Sequence, residues 1–328
     1  MMLFGVVILA LFAYHLNAEM NSKLELEQDS FLTIPLGSSI ASFSQLIVDK
    51  KWITSRFWLR NYVRIFPSKS GIKAGTYLIK HDTRLIGLLS QLIEGKEYQF
   101  SLTFIEGSRF QDALTVLRNN ANIKQTLEGM SVSAIAKTLG IEATNPEGWL
   151  FPDTYAFTKN TPDIVILRRA FDTMSKQLNK EWHKRAPNLP YDSPYEALIM
   201  ASIIEKETSV IAEQPLISSV FVNRLRKGMR LQTDPTIIYG LGDRYQGDIT
   251  RAHIRELTPY NTYRINGLPP TPIAIPGLSA LRATLNPAQS DYFYFVSNGA
   301  GQHVFSKTLS EHNRAVRDYL KIQRAKVN

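Results

Sequence analysis

The chain opens on an apolar run and turns polar abruptly after it. Residues 1–18 contain no Asp, Glu, Lys or Arg, and their run MLFGVVILALFAY approaches the ~20 residues that cross a bilayer as a helix. Leu16-Asn17-Ala18 is a poor cleavage site, so the pattern favours an uncleaved transmembrane anchor over a removed signal peptide. An apolar core helix fits less well, because the polar residues 19–30, interpreted as a linker, follow at once. No lysine or arginine precedes the run, so its orientation stays open.

Two segments further along repeat one pattern of a strand, a Gly-Ser turn and an amphipathic helix. They are FLTIPLGSSIASFSQLI (residues 31–47) and FSLTFIEGSRFQDALTVL (residues 100–117). Gly37 and Gly107 are expected to permit the turn, and the hydroxyls of Ser38 and Ser108 to cap the helix that follows. Between them the pattern predicts a basic aromatic helix over 52–65, a short strand near 73–77 and a helix over 83–94. We therefore expect residues 31–99 to form a small α+β subdomain. It resembles a LysM-type glycan-binding fold, and plain scaffolding is the alternative.

The segment SPYEALIMASIIEKETS (residues 193–209) gives a strong helix signal. Ser193, Pro194 and Glu196 make a capping start with proline at the first helical position. Residues 197–204 carry no charge, which is typical of a core helix that is apolar almost all round. We therefore expect a buried helix that continues into the charged residues after Ile204.

Two glutamates, Glu205 and Glu207, stand at the end of this helix. Glu207 follows Ile203 by four positions and Ile204 by three, so it extends the apolar surface of these residues. A carboxyl group in such a place loses hydration, which raises its pKa and lets it act as a general acid. The alternative is that both glutamates lie in a solvated last turn.

The remaining pattern predicts more helices, two loops and a hairpin. A capped helix begins after Thr161-Pro162, and another spans Leu216–Lys227 before Gly228. Residues 147–155 form an aromatic loop that could line a saccharide groove or fill a core. The proline-rich residues 267–277 are expected to be a stiff surface loop without regular structure. Strands near 292–296 and 303–305 flank the turn signal Asn298-Gly299, and a last helix begins at Ser310.

Composition narrows the chemistry that this chain can perform. Its 328 residues include no cysteine, which removes disulfide bonds, thiolate ligands and cysteine nucleophiles. The six histidines are scattered, and no HExxH, Walker-type, GxGxxG or GxSxG motif occurs, so we expect neither a metal nor a cofactor. The net charge of +9 is spread along the chain, which disfavours nucleic acid and suits anionic lipid or an acidic glycan. The remaining carboxylates, amides, hydroxyls and aromatic rings suit glycosidic-bond cleavage.

Five motifs in order resemble those of the YceG-like endolytic murein transglycosylases. They are EGWLFPDTY (147–155), ASIIEKET (201–208), LQTDPT (231–236), YNTY (260–263) and GLPPTPIAIPG (267–277). The resemblance covers nearly the whole chain from Phe31 and implies an α+β protein. Its expected parts are a transmembrane anchor (1–18), a linker (19–30), a LysM-like subdomain (31–99) and a lysozyme/transglycosylase-like catalytic domain (100–328).

The resemblance also implies one catalytic glutamate within the IEKET motif. Glu207 is favoured because Glu-Thr resembles the Glu-Ser dipeptide of other lytic transglycosylases, and Glu205 is the alternative. For Tyr239 two roles stay open, that of a residue lining the groove and that of a packed aromatic side chain. The residues expected at the substrate are Gln232, Asp234, Tyr260, Asn261, Tyr263, Glu205 and Asp153.

The implied activity is that of a murein lytic transglycosylase, which cuts the MurNAc–GlcNAc β-1,4 bond of nascent glycan strands and leaves 1,6-anhydro ends. The implied location is the inner (cytoplasmic) membrane, crossed once, with the catalytic domain in the periplasm. Peptidoglycan strands are the expected partner, nucleic acid is not, and peptidoglycan synthases stay open as further partners. The alternatives are a non-catalytic peptidoglycan-binding or divisome scaffold protein and a hydrolysing muramidase.

Overall fold

The structure is a computed structural model that describes residues 2–327, and it is a mixed α+β protein. Its α-helices in chain order are α1 (Met2–Met20), α2 (Ile40–Asp49), α3 (Phe57–Ile65), α4 (Leu85–Glu94), α5 (Phe110–Arg118), α6 (Val132–Leu139), α7 (Asp163–His183), α8 (Pro194–Glu207), α9 (Gln214–Arg226), α10 (Asp234–Leu241), α11 (Arg251–Arg255), α12 (Leu278–Leu285) and α13 (Leu309–Val327). Its strands are β1 (Ser30–Ile34), β2 (Gly75–Ile79), β3 (Phe100–Thr103), β4 (Ile123–Lys124), β5 (Thr154–Phe157), β6 (Thr161–Pro162), β7 (Tyr294–Ser297) and β8 (His303–Ser306). Both predicted strand–turn–helix segments are confirmed, as β1–α2 and β3–α5, but the predicted capping by Ser38 and Ser108 was wrong. Ser39 caps α2 instead, and the Ser108 hydroxyl donates to Ile105 O at 2.6 Å within the turn, so that α5 begins after Arg109.

The chain divides into two compact units. The N-terminal unit comprises Met1–Ser101 and Ala156–Thr161, and the C-terminal unit comprises Leu102–Tyr155 and Pro162–Asn328.

In the N-terminal unit, β1 and β2 form an antiparallel pair with Leu32 opposite Tyr77. Alternation along β1 turns Leu32 and Ile34 into a core that α2, α3 and α4 also supply. The end of α1 contributes Leu16 and Met20 to the same core, whereas the rest of that helix is largely exposed. Leu24, within the predicted linker, is buried there too.

Helix α3 begins at Phe57, so the prediction of a helix from Trp52 was wrong about its start. At the end of α2, Lys51 has a φ of 60°, the N–H of Lys51 bonds to Val48 O at 2.8 Å, and the N–H of Trp52 bonds to Ile47 O at 2.9 Å. This is a Schellman motif, which reverses the chain and sends Trp52 into the core. The sequence hides the motif because lysine stands where glycine is usual.

The C-terminal unit is built around α8, and its predicted capping start is confirmed. The Ser193 hydroxyl accepts the Glu196 N–H at 3.3 Å, but the reciprocal half of the predicted capping box is not formed, because the Glu196 carboxylate accepts the N–H of Asp192 at 2.7 Å and not that of Ser193. Every residue from Ala197 to Ile204 is buried. Helices α7, α9 and α12 pack around this uncharged stretch, so its apolar side chains are buried on all sides of α8. The predicted hairpin is also confirmed, with β7 and β8 antiparallel and Phe295 opposite Phe305.

The proline-rich loop has no regular structure, as predicted, but the prediction that it lies at the surface was wrong. Residues 272–277 are buried. Three of their four N–H groups have described partners: Ile273 donates to the Ser202 hydroxyl at 2.9 Å, Ile275 to Ser108 O at 2.7 Å and Gly277 to Glu205 Oε2 at 3.0 Å. Because proline has no N–H, a proline-rich segment brings few donors that need partners when it is buried.

Candidate active site

Glu207 is the last residue of α8, and its side chain lies in a cavity of about 320 Å³. The side chain is partly buried, whereas Thr208, the next residue, turns into an extended conformation and ends the helix. The cavity is lined by Glu207, Arg224, Leu231, Gln232, Thr233, Asp234, Tyr263, Tyr294, Phe295, Leu309 and His312. The predicted carboxyl group therefore faces a partly open cavity that α8 and five other segments of the C-terminal unit line.

A cluster of three buried threonines fixes the carboxyl group of Glu207. The Thr233 hydroxyl donates a short hydrogen bond to Glu207 Oε1. Thr233 is held in turn by Thr262, whose hydroxyl accepts the Thr233 N–H at 3.0 Å, and by Thr236, whose hydroxyl donates to Thr233 O at 2.8 Å. The hydroxyls of Thr236 and Thr262 lie 2.9 Å apart. The motifs LQTDPT and YNTY thus meet through their threonines, directly beneath the glutamate.

Burial raises the pKa of Glu207 from 4.5 to about 7. The hydrogen bond from Thr233 opposes this rise, the negative charge of Asp234 adds to it, and the positive charge of Arg224 opposes it. Loss of hydration is the dominant cause, because it disfavours the charged form of the carboxyl group. Close to neutral pH the group can therefore both give and accept a proton.

Arg224 brings a buried positive charge to the cavity. It is 7% exposed, and its guanidinium donates to Phe293 O at 2.7 Å and to Leu231 O at 2.7 Å. The Tyr294 ring lies 5.2 Å from the guanidinium carbon. Within residues 2–327 no carboxylate is within 4.0 Å of Arg224, so carbonyl oxygens and an aromatic face hold this cation in place.

His312, on α13, closes another side of the cavity. Its imidazole stacks on the Tyr294 ring with centroids 5.2 Å apart, and its buried Nδ1 has no hydrogen-bond partner within the described chain. Burial lowers the pKa of His312, and the charge of Arg224 lowers it further. The imidazole is therefore neutral at pH 7 and adds no positive charge to that of Arg224.

Three of the residues expected at the substrate are brought to this cavity. Gln232 has a φ of 50°, a left-handed conformation that glycine usually takes, and its side chain is exposed at the cavity wall. Asp234 begins α10 and accepts a hydrogen bond from the Tyr263 hydroxyl at 2.7 Å. Gln232, Asp234 and Tyr263 thus border the space that Glu207 faces.

Two others lie nearby without reaching the cavity. Asn261 is 1% exposed, and its amide nitrogen donates to His253 O at 3.0 Å and to Glu256 O at 2.6 Å, which fastens α11. Tyr260 pairs its hydroxyl with that of Thr271 at 2.8 Å, and its ring contacts Tyr239 with centroids 5.0 Å apart. Both residues therefore hold neighbouring segments in place: Asn261 holds α11, and Tyr260 holds the proline-rich loop through Thr271.

Glu205 and Asp153 are also outside the cavity. Glu205 accepts the N–H of Gly277 at 3.0 Å, on a side of α8 that faces the proline-rich loop. Burial raises the pKa of Glu205, the Gly277 N–H opposes the rise and the charge of Glu106 adds to it. Asp153 is exposed, and its carboxylate accepts the N–H of the adjacent Thr154 at 2.7 Å. Of the two glutamates in IEKET, Glu207 is the one that lines the cavity.

A second carboxyl group with a strongly raised pKa lies in the aromatic loop, at Glu147. Burial raises its pKa to about 7 against hydrogen bonds from the Phe110 N–H at 2.8 Å and the Tyr239 hydroxyl at 3.3 Å. The guanidinium of Arg109 lies over the Tyr239 ring at 5.3 Å. Glu147 thus caps the start of α5 from within the core, and Tyr239 is a packed aromatic with a paired hydroxyl.

Sequence reasoning missed Thr233, Arg224, His312 and Glu147. Only Glu147 carried a signal, since an acidic residue ahead of a dense apolar loop is unusual, whereas the other three read as ordinary polar residues. For metals, no group of three or more His, Asp or Glu side chains between residues 2 and 327 is placed to hold an ion.

Comparison with known proteins places the chain among relatives of one kind. Residues 32–318 match the profile of the YceG-like family. An endolytic murein transglycosylase of Bacillus subtilis is 33% identical over 317 residues, which is 90% of this chain and 87% of that protein. One of Streptococcus pneumoniae is 26% identical over 88% of this chain, which spans 58% of that protein's length. The 2.6 Å crystal structure of a YceG-like protein of Listeria monocytogenes is 32% identical, with a TM-score of 0.55 over 89% of this chain and 99% of that one.

Proposed function

The chain belongs to the YceG-like family, and on that premise we propose that it is an endolytic peptidoglycan lytic transglycosylase in which Glu207 is both general acid and general base. The observation that carries the proposal is the place of Glu207, whose partly buried carboxyl group faces a polar cavity with a pKa raised to about 7. The substrate is the β-1,4 bond between MurNAc and GlcNAc in glycan strands.

The raised pKa decides whether the glutamate can act as an acid at all. A carboxyl group with a pKa of 4.5 is about 0.3% protonated at pH 7, whereas one with a pKa of about 7 is about half protonated. Burial therefore increases the acid form of Glu207 more than a hundredfold, which matches the requirement that a catalytic pKa lie near the working pH.

In the first step the protonated Glu207 donates its proton to the glycosidic oxygen while the bond to C1 of MurNAc breaks. Oε1 already accepts the hydrogen from Thr233, so Oε2 is the oxygen free to carry the transferred proton. Positive charge develops on the sugar ring as the bond breaks. The exposed carboxylate of Asp234 lines the same cavity and stabilises that charge.

In the second step the Glu207 carboxylate accepts the proton of the MurNAc 6-hydroxyl, and that oxygen bonds to C1. The product ends in a 1,6-anhydro ring, no water is consumed, and the carboxyl group regains its proton. Between the steps the carboxylate is negatively charged, and the Thr233 hydroxyl and the charge of Arg224 stabilise it. One carboxyl group is sufficient, because it acts twice.

Helix α1 is long and apolar enough to span a membrane by its length and composition. We place it in the cytoplasmic membrane as a single-pass anchor, with both units on the outer face where glycan strands are made. The N-terminal unit is assigned a LysM-like role in holding glycan, and the C-terminal unit a lysozyme-like catalytic role. Peptidoglycan synthases, which supply nascent strands, are the partners that fit an enzyme at this location.

The test uses the full chain in detergent with purified murein, and mass spectrometry of the released fragments. Glu207→Gln is expected to fold normally and to release anhydro-muropeptides at least ~10²-fold more slowly, as loss of a general acid predicts. Glu205→Gln is the matched control, since a glutamine oxygen still accepts the Gly277 N–H, and its rate should stay close to wild type.

Each other outcome has a defined meaning. Full activity in Glu207→Gln with loss in Glu205→Gln would transfer the role to Glu205. Reducing ends in place of anhydro ends would identify a hydrolysing muramidase. No product from the wild-type chain, with murein still bound, would refute the enzyme and favour a glycan-binding scaffold.

A further inference from the structure

We propose that α3 is a membrane-surface helix whose arginines bind the phosphates of anionic lipid headgroups beside the anchor. This inference rests on the membrane location given above for α1, and it does not depend on the catalytic role of Glu207. It assigns a ligand to a basic groove in the N-terminal unit that has no part in the glycan chemistry.

The position of α3 is set by its contact with α1. Trp58 of α3 lies against Phe12 and His15, with ring centroids 5.7 Å and 6.1 Å apart. Phe12 is inside the apolar run of α1, which is the part of the helix that belongs in a bilayer. A neighbouring helix that touches this run is held at the level where the hydrocarbon region meets the headgroups. Tryptophan is enriched at that level, because its ring is apolar and its N–H is polar.

The free surface of α3 has apolar side chains that the protein leaves uncovered. Phe57 is 53% exposed, Ile65 is 51% exposed, and Phe66, the residue that follows the helix, is 47% exposed. Opposite them, Leu59 and Val63 are buried in the unit's core. Single exposed apolar residues are ordinary, but three of them beside a membrane anchor form a surface suited to the lipid interface.

Arginines recur on α3 at four-residue intervals, at Arg56, Arg60 and Arg64, so they follow one side of the helix. They line a groove of about 350 Å³ together with Ser55, Phe57 and Asn61. All three are exposed, and none of them is within 4.0 Å of a carboxylate in the described part of the chain.

The chemistry of this groove fits a phosphate monoanion in a lipid headgroup. Guanidinium groups bind phosphate through paired N–H donors, and the side chains of Ser55 and Asn61 add further hydrogen-bonding groups. Without such a ligand, three neighbouring positive charges repel one another, since no carboxylate compensates them. An anionic membrane surface supplies both the opposite charge and the apolar layer for Phe57 and Ile65.

The experiment places one spin label on the full chain reconstituted in vesicles. The chain has no cysteine, so Ser68→Cys gives a single labelling site: Ser68 is exposed, lies just after α3 and Phe66, and does not line the arginine groove. Lys96→Cys is the matched control site in the same unit, at a distance from α1. Helix α4 begins beside the end of α1, where the Leu85 N–H bonds to Ser22 O, and Lys96 follows the other end of α4, about 15 Å along the helix. Accessibility to oxygen and to a water-soluble nickel complex then reports how deep each label lies.

We expect the label at Ser68 to be shielded from nickel in vesicles of phosphatidylcholine with phosphatidylglycerol, and less so in phosphatidylcholine alone. Raising the salt from about 0.1 M to 1 M should weaken the shielding, because it shortens the range of charge attraction from ~10 Å to ~3 Å. Each arginine should favour the docked state about fivefold, so Arg56→Gln, Arg60→Gln and Arg64→Gln together should reduce it about a hundredfold.

Two outcomes overturn the proposal. One is equal water exposure of the two labels in both kinds of vesicle, which would mean that α3 stays away from the lipid. The other is shielding that survives the triple substitution, which would mean that the arginines do not bind the headgroups. The substituted side chains are exposed, and circular dichroism checks that the fold is unchanged. The readout requires no murein, so it stands apart from the test of the enzyme.

Discussion

Replacing Thr233 by valine tests how one hydroxyl sets the proton affinity of Glu207. The hydroxyl donates to Glu207 Oε1, and the other hydrogen bonds of Thr233 within residues 2–327 are made by its backbone, which valine keeps. Valine has nearly the same shape as threonine, so the substitution removes the donor and leaves the cluster of Thr236 and Thr262 in place.

The magnitude follows from the charge on the acceptor. A hydrogen bond to a charged group contributes about 1.5–3 kcal/mol, and one pKa unit corresponds to about 1.4 kcal/mol. Because the bond stabilises the carboxylate, its loss should raise the pKa of Glu207 by roughly 1–2 units above its value of about 7. In the proposed mechanism the active form of Glu207 carries the proton, so kcat/KM should fall as the pH rises through this pKa.

The assay is the pH dependence of kcat/KM for release of anhydro-muropeptides. Wild type should lose activity as the pH rises through about 7, and Thr233→Val should lose it only at a higher pH. Thr233→Ser keeps the hydroxyl and should follow wild type. If kcat/KM of Thr233→Val decreased at the same pH as that of wild type, or at a lower pH, the assigned role of this hydrogen bond would be refuted.

Two further predictions concern stability. The pKa of Glu147 is raised from 4.5 to about 7, so the folded protein holds a proton that the unfolded chain releases, and stability is highest below about pH 4.5 and falls as the pH rises through 7. Glu147→Gln should remove up to about 3 kcal/mol of this decrease in the free energy of unfolding, which urea unfolding at pH 5 and pH 8 would measure. If the free energy of unfolding of the variant decreased with pH as much as that of wild type, the prediction would be contradicted. Arg224→Met leaves Phe293 O and Leu231 O without a donor and should destabilise the fold by about 2–4 kcal/mol in urea, with Arg224→Lys intermediate. A cost below 1 kcal/mol would contradict the anchoring role of the guanidinium.

Features with local causes were predictable from the sequence. Helix α8 follows from the capping chemistry of Ser193 and Pro194 and from the uncharged run behind them, all within a few residues. The hairpin of β7 and β8 follows from the turn signal Asn298-Gly299 in the same way. The place of Glu207 at the end of a buried helix was predictable for the same reason.

The partners of Glu207 depend on contacts between distant segments. Thr233 and Thr262 are 29 positions apart and bond only because α10 and the YNTY segment fold against each other. Arg224 reads as a surface residue at the end of a helix, and it is buried only because the segment entering β7 covers it. The proline-rich loop was placed at the surface because prolines are usually exposed, and burial against Ser202 could not be seen from its composition.

Leu16 and Met20 at the end of α1 and Leu24 just after it are buried in the core of the N-terminal unit, so this segment is part of that unit's fold. A soluble fragment beginning at Phe31 would lose all three side chains from the core, and removal of one such side chain costs roughly 2–5 kcal/mol. Preparations that begin after α1 would therefore yield a weakened fold with newly exposed apolar surface. In the intact protein these buried contacts fix the end of α1 to the N-terminal unit, so the direction of this helix and the orientation of the unit are coupled.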